Sequence, residues 1–412
     1  MRRISLFILS QVAGLLSVFG QSSLPVDSAY KSRDLKFEEV NFVSGYYHQD
    51  GNNSGVTGGV GTENLTDFAN TLELKLTKLS DEDWLHTFSF ELGVDHYTSA
   101  SSANIDPNPS TYGGTSGPSS SDLRIYPSLS WNVMNPKKTF SFGLGASYSN
   151  EFDYVSRGLS VDFVKTSADK NREFGVKVMA FFDSWGVILP IELRPAVTTL
   201  SSSSSSGRTE LSYDPRNSYQ ASFTYSQVVN RRLQVALIVD PSYQSGQLST
   251  LYQRVYFTNN SEKVEKLPDN RFKIPIGLRA SYFLGDRVIF RGFYRYYQDS
   301  WGNKAHTANL EMPVKVTPFV SLSPFYRFNT QSGIDYFAAY GKHKTSETYY
   351  TSDYDLSKLS SHLLGMGIRF APPKGVLGME HFNSLELRYA HYVRGAGTGL
   401  IGNSVTMALK FK

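Results

Sequence analysis

Apolar and polar residues alternate with a period of two along most of this chain. In the stretch 88–97, one phase carries Phe88, Phe90, Leu92, Val94 and His96, and the other carries Ser89, Glu91, Gly93, Asp95 and Tyr97. Such alternation places one phase on each face of a β-strand. We find no amphipathic helix of three turns after the N-terminus, so the pattern predicts an all-β fold. Similar runs cover 123–133, 140–148, 174–182, 219–225, 233–239, 272–284, 308–316, 364–370, 385–393 and 405–411.

The connections between these runs tend to alternate between short turns and long loops. The short turns lie at 135–138, 229–232, 284–286 and 317–318, and the long loops, rich in Gly, Ser and Asn, cover 49–62, 99–121, 184–216, 244–270 and 331–358. One end of the sheet therefore has short turns, and the other end has long loops. This asymmetry is typical of outer-membrane barrels, which have short periplasmic turns and long external loops.

The length of the runs indicates strands that cross a membrane. Most runs offer about 10 to 13 residues, which fits the roughly 9 to 11 of a tilted membrane strand better than the roughly 5 to 6 of a globular strand. We count about sixteen strands, from 36–48 to 403–412, and an even number lets the sheet close with both ends in the periplasm. The prediction is a transmembrane antiparallel β-barrel. A soluble β-sandwich or propeller is the structural alternative, but its strands should be shorter and its loops less one-sided.

The first twenty residues have the layout of a secretory signal peptide. Two arginines precede a mostly apolar stretch at 4–19, which is too short and too interrupted by polar residues for a spanning helix. We expect cleavage after Gly20. The remaining chain then divides into a periplasmic segment at 21–35 and an outer-membrane barrel at 36–412.

Composition and the C-terminus indicate the partners of the barrel. Aromatic residues make up 14% of the chain, and such rings are enriched where a protein meets a membrane interface. The 41 basic and 37 acidic residues nearly balance and form no long basic run, so nucleic acid is not an expected partner. The last residues, V-T-M-A-L-K-F-K, resemble the signal that barrel-assembly machinery reads, although Lys412 follows the aromatic Phe411. We expect contact with outer-membrane lipid, with that machinery during biogenesis, and with periplasmic partners.

The polar phase of the strands carries charges of both signs, which a barrel with its apolar phase toward lipid turns into the lumen. Unpaired charge in a dry interior is costly, so the lumen is either wet or crossed by ion pairs. One interpretation is a structural ion-pair network that fixes strand register, and the other is a water-filled channel whose charges select solutes. The predicted lumen-lining residues are Glu73, Lys75, Glu91, Asp95, Arg124, Lys177, Arg279, Arg291, Arg295, Glu311, Lys315, Glu386 and Arg388.

Two histidines raise the question of a lipid-modifying barrel enzyme. His362 and His391 fall on the apolar phase of consecutive strands, and would lie opposite each other if residues pair symmetrically about the turn at 372–381. No serine with an orienting amide or carboxylate is evident nearby, and Tyr389 and Tyr392 fit an interfacial aromatic belt instead. The histidines show neither HxH nor HExxH spacing for zinc. We therefore expect no catalytic residue.

A glycine-rich stretch, YYHQDGNNSGVTGGVGTENLTD, occupies residues 46–67. No helix follows it, and a phosphate cradle needs the amides of a helix N-terminus, so the glycines indicate a loop. Residues 50–55 match the first half of an EF-hand loop, but Gly61 stands where the bidentate glutamate belongs. The sequence leaves two alternatives, an Asx-rich turn or a calcium site held by Asp50, Asn52, Ser54 and Glu63. We expect no other cofactor.

Three stretches carry a resemblance to a known family. They are S-A-Y-K-S-R-D-L-K-F from Ser28, Y-Y-H-Q-D-G with T-G-G-V-G-T-E-N-L-T-D, and D-H-Y-T-S-A-S-S-A-N-I-D-P at 95–107. The chain resembles an uncharacterised Gram-negative outer-membrane family, domain of unknown function family 3570, over most of its mature length. The resemblance implies an outer-membrane β-barrel, and implies no substrate or catalytic residue. Members are often encoded near periplasmic thioredoxin-like and flavin-transferase proteins, which implies a redox-linked role in the envelope.

The function that fits these observations is a porin-like channel or a transport or structural component of the outer membrane. The alternatives are a non-conducting scaffold, which displays binding loops or docks periplasmic redox partners, and a lipid-modifying enzyme. The first two differ in whether water fills the lumen, and the third requires a nucleophile beside a histidine.

Overall fold

The computed structural model describes residues 34–98, 121–186, 189–190, 193, 213–395 and 399–412. Residues 35–412 form one compact unit. The predicted signal peptide at 1–20 and all but the last two residues of the predicted periplasmic segment at 21–35 lie outside the described residues. Most of the predicted long loops at 99–121 and 184–216 also lie outside them. Within the described ranges, no helix has the length and apolar character that spanning a membrane requires.

Twenty strands and three short 3₁₀ helices account for the regular structure of the described residues. The strands are β1 (Lys36–Gly51), β2 (Leu65–Leu79), β3 (Leu85–Thr98), β4 (Ser121–Met134), β5 (Phe140–Asn150), β6 (Tyr154–Thr166), β7 (Arg172–Gly186), β8 (Tyr213–Asn230), β9 (Leu233–Val239), β10 (Ser242–Gly246), β11 (Arg254–Tyr256), β12 (Glu262–Val264), β13 (Asn270–Leu284), β14 (Val288–Asp299), β15 (Lys304–Glu311), β16 (Val314–Lys315), β17 (Val320–Gln331), β18 (Leu359–Phe370), β19 (Phe382–Arg394) and β20 (Leu400–Phe411). The 3₁₀ helices are Gly55–Thr57, Tyr354–Leu356 and Val376–Gly378.

These strands form a closed antiparallel barrel of sixteen wall strands. Two wall strands are interrupted, because β9 and β10 both pair with β8 and β13, and β15 and β16 both pair with β14 and β17. The hairpin of β11 and β12 stands apart from the wall. Closure comes from β1, which pairs with β2 on one side and with β20 on the other, from Val40 opposite Phe411 to Gly51 opposite Leu400. The predicted all-β barrel of about sixteen strands is confirmed.

Short and long connections follow the predicted alternation, with one difference. The periplasmic connections within the described residues are 80–84, 135–139, 167–171, 231–232, 285–287, 316–319 and 371–381, and long external loops include 52–64, 247–269 and 332–358. Two external connections within the described ranges are nevertheless short, at 151–153 and 300–303. Among the described residues, the long external loops are therefore concentrated on part of the rim.

The outer face of the barrel carries large apolar side chains that the described residues leave exposed. Leu129, Leu159 and Leu364 are 61%, 59% and 63% exposed. A continuous apolar belt of this kind would be an aggregation hazard in water, whereas the hydrocarbon core of a membrane covers it. Closure of the sheet satisfies the strand hydrogen bonds internally, as hydrocarbon requires. The protein is an outer-membrane β-barrel.

The contact between β19 and the C-terminal strand β20 can be tested by mutation. Phe382 is 7% exposed at the start of β19, and its ring stacks on that of Phe411 in β20 with centroids 4.7 Å apart. We predict that Phe382→Ala lowers the free energy of unfolding in detergent by about 3 kcal/mol, since it removes a buried ring and its aromatic partner contact. Leu387→Ala, on the exposed face of the same strand, is the control. An equal loss of unfolding free energy in both variants would contradict a stabilising role for the contact between Phe382 and Phe411.

Candidate functional site

One face of the barrel sheet carries all thirteen predicted lumen-lining residues. Strand pairing connects them in register, as in Asp95 opposite Arg124 and Arg291 opposite Glu311. Arg388 on β19 reaches Glu311 on β15, Nη2 to Oε1 3.0 Å, across the two intervening strands β17 and β18. Side chains that far apart along the wall converge on the concave side of a barrel and diverge on the convex side. The face that carries Glu311 and Arg388 is therefore the inner one.

The charges of the inner face are divided between opposite walls. Strands β3 and β14 are the third and eleventh of sixteen wall strands, so they lie half a turn apart. Acidic residues outnumber basic ones on the wall of β2 to β6, and basic residues outnumber acidic ones on the wall of β13 to β17. On β2 to β6 the inward charges are Asp67, Glu73, Lys75, Glu91, Asp95, Asp122, Arg124 and Asp162, and on β13 to β17 they are Arg271, Lys273, Arg279, Arg291, Arg295, Asp299, Glu311, Lys315 and Arg327.

Ion pairs hold the seam of the barrel near its periplasmic end. Lys75 Nζ lies 3.5 Å from Glu39 Oε1 and 3.1 Å from Glu73 Oε1, and Lys410 also pairs with Glu39. Asn41 Nδ2 donates to Glu73 Oε2 at 2.8 Å. These contacts join β20, β1 and β2 across the closing strand pair. Here the inner charges act as a structural network that fixes register.

Four of the five inward arginines on the wall of β13 to β17, which we call the basic wall, have a different environment. Arg279, Arg291, Arg295 and Arg327 are all solvent-exposed on the inner face. Arg291 pairs with Glu311 at 3.6 Å, whereas the other three form no ion pair with any residue that the structure describes. A guanidinium without a carboxylate partner stays charged only where water or a solute can reach it. This part of the lumen is therefore wet.

Three external loops, 52–64, 247–269 and 332–358, pack together into what we call the cap. The first loop joins the first and second wall strands, and the second joins the ninth and tenth, on the opposite side of the barrel. They nevertheless touch, because Arg254 Nη1 donates to the carbonyl oxygen of Val56 at 2.9 Å. Gly58, with φ of 78°, lies so close that a Cβ would come within 2.6 Å of the Tyr256 ring. Loops that start on opposite walls and meet must cross the external mouth.

The cap has an apolar core of its own. Val255, Phe257 and Tyr350 form one cluster, 0%, 1% and 7% exposed, in which the hairpin of β11 and β12 packs against the loop 332–358. Phe257 and Tyr350 meet edge to face, with ring centroids 5.0 Å apart. This packing gives the cap a defined conformation rather than that of independent loops.

Charged groups are buried inside the cap as well. Glu265 accepts hydrogen bonds from the Thr351 hydroxyl at 2.5 Å and the Thr250 amide at 2.6 Å, and burial raises its pKa to about 8. Burial also raises the pKa of Asp353, and Asp355 adds to that shift. Arg394, with its side chain 3% exposed, bridges Glu63 at 3.0 Å and Asp355 at 2.5 Å. The cap thus contains two acids whose neutral form is favoured, and a buried arginine that pairs with the buried Glu63 and the exposed Asp355.

The calcium candidates occupy different environments. Asp50 and Asn52 are exposed, while Ser54 and Glu63 are buried. The Glu63 carboxylate is engaged by the Arg394 guanidinium and by the Asn53 amide at 3.2 Å. No group of three or more His, Asp or Glu side chains within the described ranges could hold a metal ion. Because an arginine already neutralises Glu63, the calcium hypothesis gains no support, and the glycines of 55–61 serve the turn and the close approach of the cap.

The two histidines lie on the outer face but are not directly opposite. His362 pairs in register with Val393, and His391 pairs with Leu364, so the register differs by two residues from symmetrical pairing about 372–381. The reason is that the pair next to the turn is Phe370 with Leu385, which leaves 371–384 unpaired between these two strands. His362 Nδ1 lies 2.7 Å from the Tyr326 hydroxyl, which is typical of a polar aromatic girdle.

His391 does have an orienting amide, which the sequence reading did not find. Asn403 Oδ1 on β20 lies 2.9 Å from His391 Nδ1 and also accepts from the Tyr389 hydroxyl at 2.8 Å. The same-face neighbours of His391 on its own strand are Tyr389 and Val393. A serine nucleophile is absent from both of these positions. His391 and Asn403 therefore extend the polar aromatic girdle.

Several residues of the site were not predicted from the sequence. Arg254, Glu265, Asp353 and Arg394 were not singled out, because charged residues in external loops and at the ends of strands are usually solvated. Arg327 belongs to the basic wall by the same alternation that identified Arg291. The apolar alternation of R-V-Y-F before the turn at 258–261 was a signal for the β11–β12 hairpin.

Comparison with solved structures gives only distant likenesses. The TodX deltaS2S3 mutant monoaromatic hydrocarbon channel is 8% identical with a TM-score of 0.41, over 92% of this chain and 90% of that chain. A bacterial polysaccharide outer membrane secretin is 10% identical with a TM-score of 0.44, over 91% and 98%. OccK5 (OpdH) of Pseudomonas aeruginosa is 8% identical with a TM-score of 0.41, over 92% and 98%. This level of similarity transfers no solute and no partner.

Comparison with sequences is more specific. No curated protein matches the chain. The model of a protein family of unknown function, DUF3570, matches residues 78–403. Two of the stretches that carried the resemblance, at 28–37 and 46–67, precede the matched residues, and the third lies within them. Since the match covers most of the chain, this outer-membrane barrel belongs to the family DUF3570.

Proposed function

We propose that this protein is a porin-like channel through which small hydrophilic solutes cross the outer membrane. The observation that carries the proposal is the basic wall, where exposed arginines without carboxylate partners face the lumen. A barrel filled by side chains would pair or exclude these charges. The opposed acidic and basic walls give the lumen a transverse field that acts on charged solutes.

The size of the open space is consistent with small solutes. A cavity of about 490 Å³ lies along β13 to β17, and a second of about 340 Å³ adjoins it and shares Asn309, Glu311 and Arg327 with it. The cap crosses the external mouth above them. We infer that solutes enter around the cap or after it moves, so the conformation described is one of low conductance.

A liposome-swelling assay with the purified full chain tests this function. We expect swelling in isotonic solutions of glycine or of another small zwitterion, and none with a large oligosaccharide. Liposomes that contain folded protein, identified by its heat-modifiable mobility on a gel, and that do not swell with any small solute would contradict the proposal.

A non-conducting scaffold is the second candidate, and the ordered cap favours it. A cap with its own apolar core presents a fixed surface to the outside, which a binding role would use. The swelling assay separates the two candidates, because a scaffold predicts no transport of any solute.

A further inference from the structure

We propose that the basic wall contains a binding site for a small solute that carries a carboxylate or phosphate group. The site is the cavity lined by Arg279, Arg291 and Arg327 together with Asn309. The inference rests on the proposed function, in that the solute reaches this site through the lumen. It adds a chemical class of solute and the residues that recognise it.

Strand register brings the three guanidinium groups to one cavity. Arg291 on β14 lies opposite Ser281, two residues along β13 from Arg279. Asn309 on β15 lies opposite Arg327 on β17 and diagonal to Arg291. The arginines therefore come from three strands and surround one space, in an arrangement that converges because the wall is concave.

The residues that the structure describes do not balance the charge of this cavity. Glu311 is the acidic residue of its lining, and it is shared between Arg291 at 3.6 Å and Arg388 at 3.0 Å. Arg279 and Arg327 have no ion-pair partner within the described part of the chain, and both are exposed. The cavity keeps a net positive charge and free N–H donors, which an entering anion would satisfy.

The residue types select an oxyanion rather than a halide. Guanidinium groups present paired donors that match the two oxygens of a carboxylate or the oxygens of a phosphate. Phe293 lines the same cavity and Phe325 the adjoining one, so the body of an organic solute would have apolar contacts beside its charged group. The volume of about 490 Å³ suits a small molecule.

The alternative is that these arginines only tune the field and hold no ligand. A field alone would change the selectivity of the channel without saturable binding. Saturable binding, measured without reference to transport, is therefore the property that distinguishes a site from a charged wall.

The test is titration calorimetry on the detergent-solubilised full chain with three probes: succinate, inorganic phosphate and neutral glycerol. We expect saturable binding of at least one of the two anions, and none of glycerol. The double variant R279Q/R327Q should bind the anion at least about tenfold more weakly, because two charge-assisted contacts are lost. Arg232→Gln, the same change in the exposed periplasmic turn 231–232, is the matched control and should bind like the wild type.

The outcomes separate this inference from the proposed function. Tighter binding of succinate would identify the charged group of the solute as a carboxylate, and tighter binding of inorganic phosphate would identify it as a phosphate. If folded protein still swells liposomes but shows no saturable binding, the binding site is contradicted and the proposed channel function stands. Binding that is equally strong in R279Q/R327Q also overturns it. Binding that requires these arginines in a protein that does not conduct keeps the site and contradicts the channel.

Discussion

Replacing residues 250–266 with a short Gly-Ser linker raises the single-channel conductance of the protein several-fold. This segment contains the hairpin of β11 and β12, whose Arg254 contacts the loop from the opposite wall at Val56. Its removal takes away the bridge across the external mouth, while the wall strands β10 and β13 keep their pairing. The measurement is the step size in planar bilayers at a fixed salt concentration.

A milder variant controls for gross damage to the loops. Arg254 is 2% exposed, and Arg254→Met keeps much of its volume while removing the hydrogen bond to Val56. We expect a conductance between those of the wild type and the linker variant. Wild-type conductance in the linker variant, with the barrel intact by heat-modifiable mobility, would mean that the cap does not limit passage.

Raising the pH through about 8 loosens the cap and increases conductance. Glu265 has its pKa raised to about 8 by burial, from an ordinary value of 4.5. An acid with a raised pKa stabilises the folded cap fully below its unfolded pKa, and that contribution is lost as the pH rises through its folded pKa. Burial shifts the pKa of Asp353 in the same direction, to about 6, so both acids favour the closed cap at lower pH.

The matched variant is Glu265→Gln, which cannot ionise. Its carbonyl oxygen can still accept from the Thr250 amide, and its NH2 group can donate to the Thr351 hydroxyl. Its conductance should change less between about pH 5 and about pH 9 than that of the wild type, because the contribution of Glu265 is lost progressively between its ordinary pKa of 4.5 and its folded pKa of about 8. Glu262→Gln, on the same hairpin and partly exposed, should keep the wild-type pH dependence. If Glu265→Gln shows the full wild-type response, the acid that opens the cap lies elsewhere.

The wall could be predicted from sequence because its pattern is local. Alternation along each strand determines which side chains face lipid. Residues that pair across neighbouring strands lie on the same face, so the same division holds around the closed sheet. This alternation alone places Arg291 and Glu311 on the same face of the sheet. The division of charge between opposite walls follows only when the strand order is closed, since residues about two hundred positions apart then face each other.

The cap could not be predicted by the same means. Its contacts join Val56 to Arg254 and Glu63 to Arg394, and these depend on loops meeting across the mouth rather than on any periodic pattern. Burial of Glu265 and Asp353 is equally a tertiary effect, because loop acids are solvated by default. The calcium hypothesis depended on loop composition alone, and composition cannot indicate that Arg394 neutralises Glu63.

Single-channel recording from the purified wild-type protein in planar bilayers tests the central claim most directly. A water-filled lumen predicts stable current steps whose size increases with salt concentration. A membrane that stays silent after insertion of folded protein, both for the wild type and for the variant lacking residues 250–266, would contradict a conducting barrel.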